Sequence, residues 1–132
     1  MGRALVDANV LVAAYRPGDA LYDKAVSLIQ KLKKTGWRFV MTNLLMQETA
    51  TVLSMRVGME LAKKFHKDYV DIIDEEVFVD KDTEKKGWEI FLSQKKKGTS
   101  FVDCANMATI EKYKLDGIVT FDEFYPKELL IR

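Results

Sequence analysis

An α/β fold with a mainly parallel sheet of four or five strands, flanked by helices, is predicted by three features of the sequence. Short apolar runs such as Ala4-Leu5-Val6, Phe39-Val40-Met41, Val77-Phe78-Val79 and Ile118-Val119 alternate with amphipathic stretches. Those stretches are long enough to act as right-handed crossovers between parallel strands. With 132 residues, 48% hydrophobic and 31% charged, the chain can bury roughly two-thirds of its unfolded surface in one core, so residues 1–132 are read as a single domain.

The first strand is Ala4-Leu5-Val6, ended by Asp7. Asn9-Val10-Leu11-Val12-Ala13-Ala14-Tyr15 follows as a helical turn that the Pro17-Gly18 breaker stops. Asp19 is the expected N-cap of the clearest helix, in which Leu21, Ala25, Leu28, Ile29 and Leu32 share one face and Gly36 closes the end. Arg38-Phe39-Val40-Met41-Thr42 is the second strand. Thr42 or Asn43 caps a helix over about 44–56 that stops at Gly58. A third long helix spans about 59–73 with Leu61, Phe65, Tyr69, Ile72 and Ile73 inward, and Val77-Phe78-Val79 is the third strand. Asp80-Lys81-Asp82-Thr83 caps a fourth helix, with Trp88, Phe91 and Leu92 as its apolar stripe and Lys95-Lys96-Lys97 at its C-terminal end, where the helix dipole favours cations. Ser100 starts a fifth helix through about 113, and Gly117-Ile118-Val119-Thr120-Phe121 is the fourth strand.

Composition narrows the function classes. Twenty-one Lys and Arg against twenty Asp and Glu leave a net charge of +1, so no global field points to nucleic acid or membrane, and any electrostatic function is local. Cys104 is the single cysteine and His66 the single histidine, which excludes an internal disulfide and a Cys/His metal cluster. No apolar stretch approaches the roughly 18 residues of a membrane span, and Met1-Gly2-Arg3 does not open a signal peptide. A cytoplasmic address with no membrane partner is expected.

Four carboxylates fall at one place on this frame. Asp7 and Asp122 directly follow strands 1 and 4. Glu48 lies in the second turn of the helix after strand 2, and Asp103 in the first turn of the helix before strand 4. In a parallel sheet, all four positions belong to the C-terminal edge of the strands, where ligands gather. Glu48 also shares a helix face with Leu44, Leu45 and Val52, where an unpaired carboxylate is costly unless protonated or bound to a cation. Oxygen-only donors suit magnesium or manganese better than zinc.

Three of the acids have a plainer use, and Glu48 is the least easily dismissed. Asp7 suits a turn or cap after a strand, Ser100-x-x-Asp103 satisfies a capping-box pattern, and Asp122 can open the turn before Pro126. Their joint placement at one edge is what those separate uses leave unexplained.

Ala4-Leu5-Val6-Asp7-Ala8-Asn9-Val10-Leu11 resembles the opening strand of the PIN-domain nucleases. Thr42-Asn43-Leu44-Leu45-Met46-Gln47-Glu48, Ser100-Phe101-Val102-Asp103-Cys104 and Thr120-Phe121-Asp122-Glu123-Phe124 resemble their second, third and fourth acidic positions. Order, intervals and length agree over nearly the whole chain, and the size is similar to that of stand-alone VapC-type toxins. The resemblance implies a three-layer α/β/α sandwich. It implies an Mg2+- or Mn2+-dependent endoribonuclease that hydrolyses RNA phosphodiesters, with Asp7, Glu48, Asp103 and Asp122 as catalytic metal ligands and Asn9, Ser100 and Thr120 in support. It further implies a toxin of a toxin–antitoxin pair, a small antitoxin partner and a homodimer that buries apolar residues between positions 44 and 73. Ala8 stands where many members carry Thr or Ser, so one hydroxyl contact is missing.

An RNA substrate would need some of the basic clusters Lys31-Lys33-Lys34, Lys63-Lys64-His66-Lys67, Lys85-Lys86 and Lys95-Lys96-Lys97 near the acids, the majority being solvated helix faces. His66 is expected to be exposed, and Cys104 to be a buried, inert helix cysteine. A receiver domain would need an adjacent acidic pair early in the chain, and a haloacid-dehalogenase-type phosphatase would need Asp where Asn9 stands. The competing reading is a catalytically silent PIN-like module that binds RNA or protein.

Overall fold

In the computed structural model, which describes residues 2–132, a five-stranded sheet runs in the order β3-β2-β1-β4-β5 with every neighbouring pair parallel. The strands are β1 (Arg3–Val6), β2 (Arg38–Thr42), β3 (Glu75–Val77), β4 (Gly117–Val119) and β5 (Leu130–Ile131). The helices are α1 (Ala8–Ala14), α2 (Tyr22–Lys34), α3 (Asn43–Arg56), α4 (Met59–Ile72), α5 (Lys81–Leu92) and α6 (Phe101–Tyr113), with a short 3-10 turn over Lys127–Leu129. Helices and sheet form the expected α/β/α sandwich. Helix α1 packs on α2 and α3, α3 on α4, and α5 on α6.

Central strands of a parallel sheet are covered on both faces and therefore read as continuous apolar runs. Ala4, Leu5, Val6, Phe39, Val40, Met41, Ile118 and Val119 are accordingly all without solvent exposure. Because β2 and β3 lie on one side of β1 and β4 and β5 on the other, strand order reverses between β1 and β4. That reversal opens a crevice at their C-terminal ends.

Several boundaries differ from those the sequence suggests, each for a local reason. Asp19 does not cap α2: its Oδ1 accepts from the Leu21 N–H, Leu21 takes the cap position, and Leu21 is exposed rather than inward. The third strand ends where its partner ends. Thr42, opposite Val77, is the last residue of β2 before α3, so Phe78 has no strand to pair with and stands 62% exposed, while the Val79 N–H donates to Asn43 Oδ1. The strand actually formed is the charged Glu75-Glu76-Val77, tolerable on an edge and tied by Glu75 to Arg3 at 2.9 Å.

Helix α5 stops at Leu92, before Lys95-Lys96-Lys97, which occupy the connection to α6. Leu92 is exposed, whereas Trp88 and Phe91 meet Phe101 of α6 with ring centroids 4.4 and 6.3 Å apart. Strand β4 ends at Val119 opposite Val6, the last residue of β1, and leaves Thr120 and Phe121 beyond it. The two-residue β5 has no counterpart among the expected elements.

Candidate active site

The crevice between β1 and β4 is where the site forms. Asp7 follows β1 and serves as N-cap of α1, its Oδ1 accepting from the Ala8 N–H at 2.8 Å. The cap use and the edge placement therefore coexist in one residue. Its other oxygen accepts from the Thr120 hydroxyl at 2.8 Å, across 113 residues of chain. Thr120 Oγ1 in turn accepts from Asn9 Nδ2 at 3.3 Å and from the Asp122 N–H at 2.9 Å. With both lone pairs taken, its single proton is committed to Asp7. Asn9 also accepts the Phe121 N–H on Oδ1 at 3.2 Å, stitching the start of α1 to the segment after β4.

Asp103 sits in the first turn of α6, whose N-cap is Ser100, accepting from the Val102 N–H at 3.0 Å. The capping box is not formed. Asp103 Oδ1 instead accepts from the Tyr125 hydroxyl at 3.0 Å, and that hydroxyl accepts from Asn106 Nδ2 at 3.0 Å. Asp122 Oδ1 closes a local turn by accepting the Phe124 N–H at 3.0 Å. Glu48 is half-buried on α3, as its apolar helix face implied.

The electrostatics join these acids. Burial pushes the Asp7 carboxyl up to about 7. The Thr120 bond opposes this, and the charges of Asp103 and then Glu48 add to it. Burial followed by the Asp103 charge raises Glu48. Burial also raises Asp103, against the Tyr125 hydrogen bond and with help from Asp122. Among the described residues none of the four acids is in a salt bridge. Crowded carboxyls that are desolvated and mutually repelling favour either protons or a cation.

An ion held here would meet oxygen donors alone, since Cys104 is buried within α6 with its thiol pushed up by burial, and His66 is exposed on α4. As placed, no group of three or more Asp, Glu, His or Cys side chains among the described residues is close enough to hold a metal ion. The donor chemistry fits a hard divalent cation, which would have to draw the carboxyls inward.

Two buried groups at this site escaped the sequence reading. Tyr125 is 2% and Asn106 1% exposed, and Asn106 Oδ1 has no hydrogen-bond partner among the described residues. A polar Asn one turn after Asp103, within an otherwise apolar helix face, was the available signal. Tyr125 carried none, because its position depends on how the chain turns after Asp122.

Cavities flank the acids on both sides. One, of about 300 Å3, includes Asn9, Glu48 and Phe121. The other, of about 520 Å3, includes Asp103, Asp122 and Phe121 together with Lys96 and Lys97. Of the basic clusters in the sequence, this places Lys96 and Lys97 beside the acids. Lys33 is spent on the Ile72 carbonyl and the Phe39 ring, and Lys64 on Asp68.

The sequence matches the PIN domain family over residues 4–127. Among solved structures, VapC20 of Mycobacterium tuberculosis, described as a toxin cleaving the sarcin–ricin loop, is 24% identical with a TM-score of 0.78, covering 92% of this chain and 91% of that one. VapBC2 of Rickettsia felis, bound to a DNA fragment from its promoter, is 12% identical with a TM-score of 0.68, covering 98% and 97% of the two chains. At these identities the likeness is one of fold. No curated protein matches the sequence.

Proposed function

Because the chain belongs to the PIN domain family, we propose that it is a single-domain, metal-dependent endoribonuclease and the toxin of a toxin–antitoxin pair. The observation that carries this reading is the electrostatic coupling of Asp7, Glu48, Asp103 and Asp122 at one sheet edge with no basic side chain paired to any of them. These four would hold Mg2+ or Mn2+. When bound, the cation supplies Lewis acidity, lowering the pKa of a water and offsetting charge on the phosphoryl oxygens.

The chain's own residues do the positioning. Thr120 fixes one Asp7 oxygen by donating to it, and the Ala8 N–H fixes the other. Tyr125 holds one oxygen of Asp103 and leaves the second free of protein hydrogen bonds. Asn9 locks the segment carrying Asp122 against α1, and Ser100 anchors the turn carrying Asp103. Hydrolysis adds water to phosphorus and expels the ribose oxygen, which takes up a proton as it leaves.

The toxin role and a small antitoxin partner draw support from the likeness in fold to VapC20 and VapBC2. A homodimer draws support from Met55 and Met59, 81% and 56% exposed around the junction of α3 and α4. No helix among the described residues is long and apolar enough to cross a membrane, consistent with the cytoplasmic location proposed here.

The test is cleavage of single-stranded RNA by the purified chain with manganese, with chelator, and with Asp103→Asn. Cleavage that needs metal and is lost in the variant is expected. Metal-independent cleavage, or full activity in Asp103→Asn, would overturn the reading. RNA binding without cleavage would favour the silent module.

A further inference from the structure

The smaller cavity beside the acids is bordered by Asn9 and Glu48, but the rest of its lining is not used by the nuclease chemistry. Val12 and Ala13 of α1 and Val52 of α3 give it an apolar lining, and Arg16 and Arg56 line it as well. Arg16 reaches Asp19 at 3.7 Å, while Arg56 has no ion-pair or hydrogen-bond partner among the described residues. Phe121 borders this cavity and the larger one, so its half-buried ring stands where the two adjoin the acid edge, with Lys24 Nζ 5.3 Å from its centroid.

Charge therefore alternates along the edge. Arg16 and Arg56 share one cavity with Glu48 and Asp19, and Lys96 and Lys97 share the other with Asp103, Asp122 and Glu123, so cations stand on either side of the acids. Such an order suits a polyanionic strand whose scissile phosphate lies at the acids while neighbouring phosphates meet cations on either side. At about 300 Å3 the cavity is at the small end of ligand pockets, roughly 300–1,000 Å3. Its apolar lining suits the flat face of one unstacked base. A base in a duplex cannot enter it, because its faces are already stacked.

We propose that this cavity is a nucleotide subsite that takes one unpaired base adjacent to the scissile phosphate. Arg56 and Arg16 contact the strand's phosphate, and Phe121 stacks at the boundary with the cleavage centre. The inference rests on the nuclease reading for the position of the scissile phosphate, and it commits the substrate to a single-stranded segment.

The test measures binding of a fluorescently labelled single-stranded RNA oligonucleotide by anisotropy in chelator, so that cleavage does not intervene. The same strand annealed into a duplex serves as a second probe. Arg56→Ala and Val52→Trp, which remove the free cation and fill the cavity, are each expected to weaken single-strand binding about tenfold or more. Arg56→Ala is also expected to lower the salt slope by about 0.7, the share of one phosphate contact. Lys85→Ala, exposed on α5 away from both cavities, is the matched charge control and is expected to bind like wild type. Thermal unfolding confirms that each variant is folded. Should Val52→Trp fail to fold, chemical-shift changes of Val12 and Val52 methyls on adding a mononucleotide to wild type decide the point.

Equal binding by both cavity variants, equal binding of duplex, or methyl shifts elicited by an acidic leucine-containing peptide but not by a mononucleotide would overturn the subsite. The last result would assign the cavity to a protein. Cavity-dependent binding without metal-dependent cleavage would instead sink the nuclease reading and leave the subsite standing. Metal-dependent cleavage with unaltered binding and KM in both variants would do the reverse.

Discussion

At the scale of single residues, Asp7 carries the clearest consequence. Its unfolded carboxyl titrates near 3.8 and its folded one at about 7, so the native chain holds the proton more tightly. In the metal-free protein, this contribution leaves stability undiminished below pH 4, erodes it as pH rises from 4 to 7, and costs on the order of 4 kcal/mol above that. Asp7→Asn is expected to flatten this profile and to be no less stable than wild type at pH 8. Urea denaturation in chelator across that window measures it. Tyr125→Phe is a second case. Losing the hydroxyl frees Asp103 and leaves the Asn106 amide, already short of one partner, buried without its other. A loss of about 1–3 kcal/mol is expected, together with slower cleavage. Adding Asn106→Leu should recover much of the stability but none of the rate, as a double-mutant cycle would reveal.

At the scale of elements, the long amphipathic segments and the strands β1 and β2 were legible, whereas β3, the end of β4 and the whole of β5 were not. Helices α3, α4 and α6 fall within a residue or two of their expected spans because caps at Thr42 and Ser100 and the positive φ of Gly58 mark their ends. Strand ends are decided instead by where the neighbouring strand stops, which no local pattern encodes. Phe78 shows this for β3, and Leu130-Ile131 for β5, too short to carry a periodic signal. Gly117 shows what such an edge demands: a Cβ there would come within 2.5 Å of the Leu129 carbonyl oxygen. Gly117→Ala is expected to destabilise the chain by about 1–3 kcal/mol and to loosen β5. Hydrogen exchange at Thr120, whose N–H donates to the Ile131 carbonyl, reports it.

For the whole molecule, the convergence of the four acids was legible from topology alone, because any parallel sheet places them on one edge. The hydrogen bonds that tie Asp7 to Thr120, and Thr120 to Asn9 and Asp122, were not, since they depend on β1 lying beside β4. Under the proposed metal-dependent reading, a cation at this centre would compete with the Asp7 proton. Manganese is expected to raise the melting temperature more at pH 8 than at pH 5, and calorimetry near pH 6 in two buffers of different ionisation enthalpy should register proton release on binding. Asp103→Asn should abolish both effects. The proposed self-association is tested at the same scale. Light scattering is expected to give twice the mass of one chain, and Met59→Glu to return it to the monomer.

The Thr120–Asp7 bond spans almost the full length of the chain. A ribosome delivers the first strand long before the fourth, and until residues 117–122 have emerged Asp7 lacks its hydroxyl donor Thr120, and Asp103 its acidic neighbour Asp122. The centre is thus a construction of late, non-local closure rather than of any early-folding unit. A nascent or truncated chain that stops before β4 keeps Asp7, Glu48 and Asp103 but lacks Thr120, Asp122 and Tyr125, and with them the hydrogen bonds that hold Asp7 and Asp103.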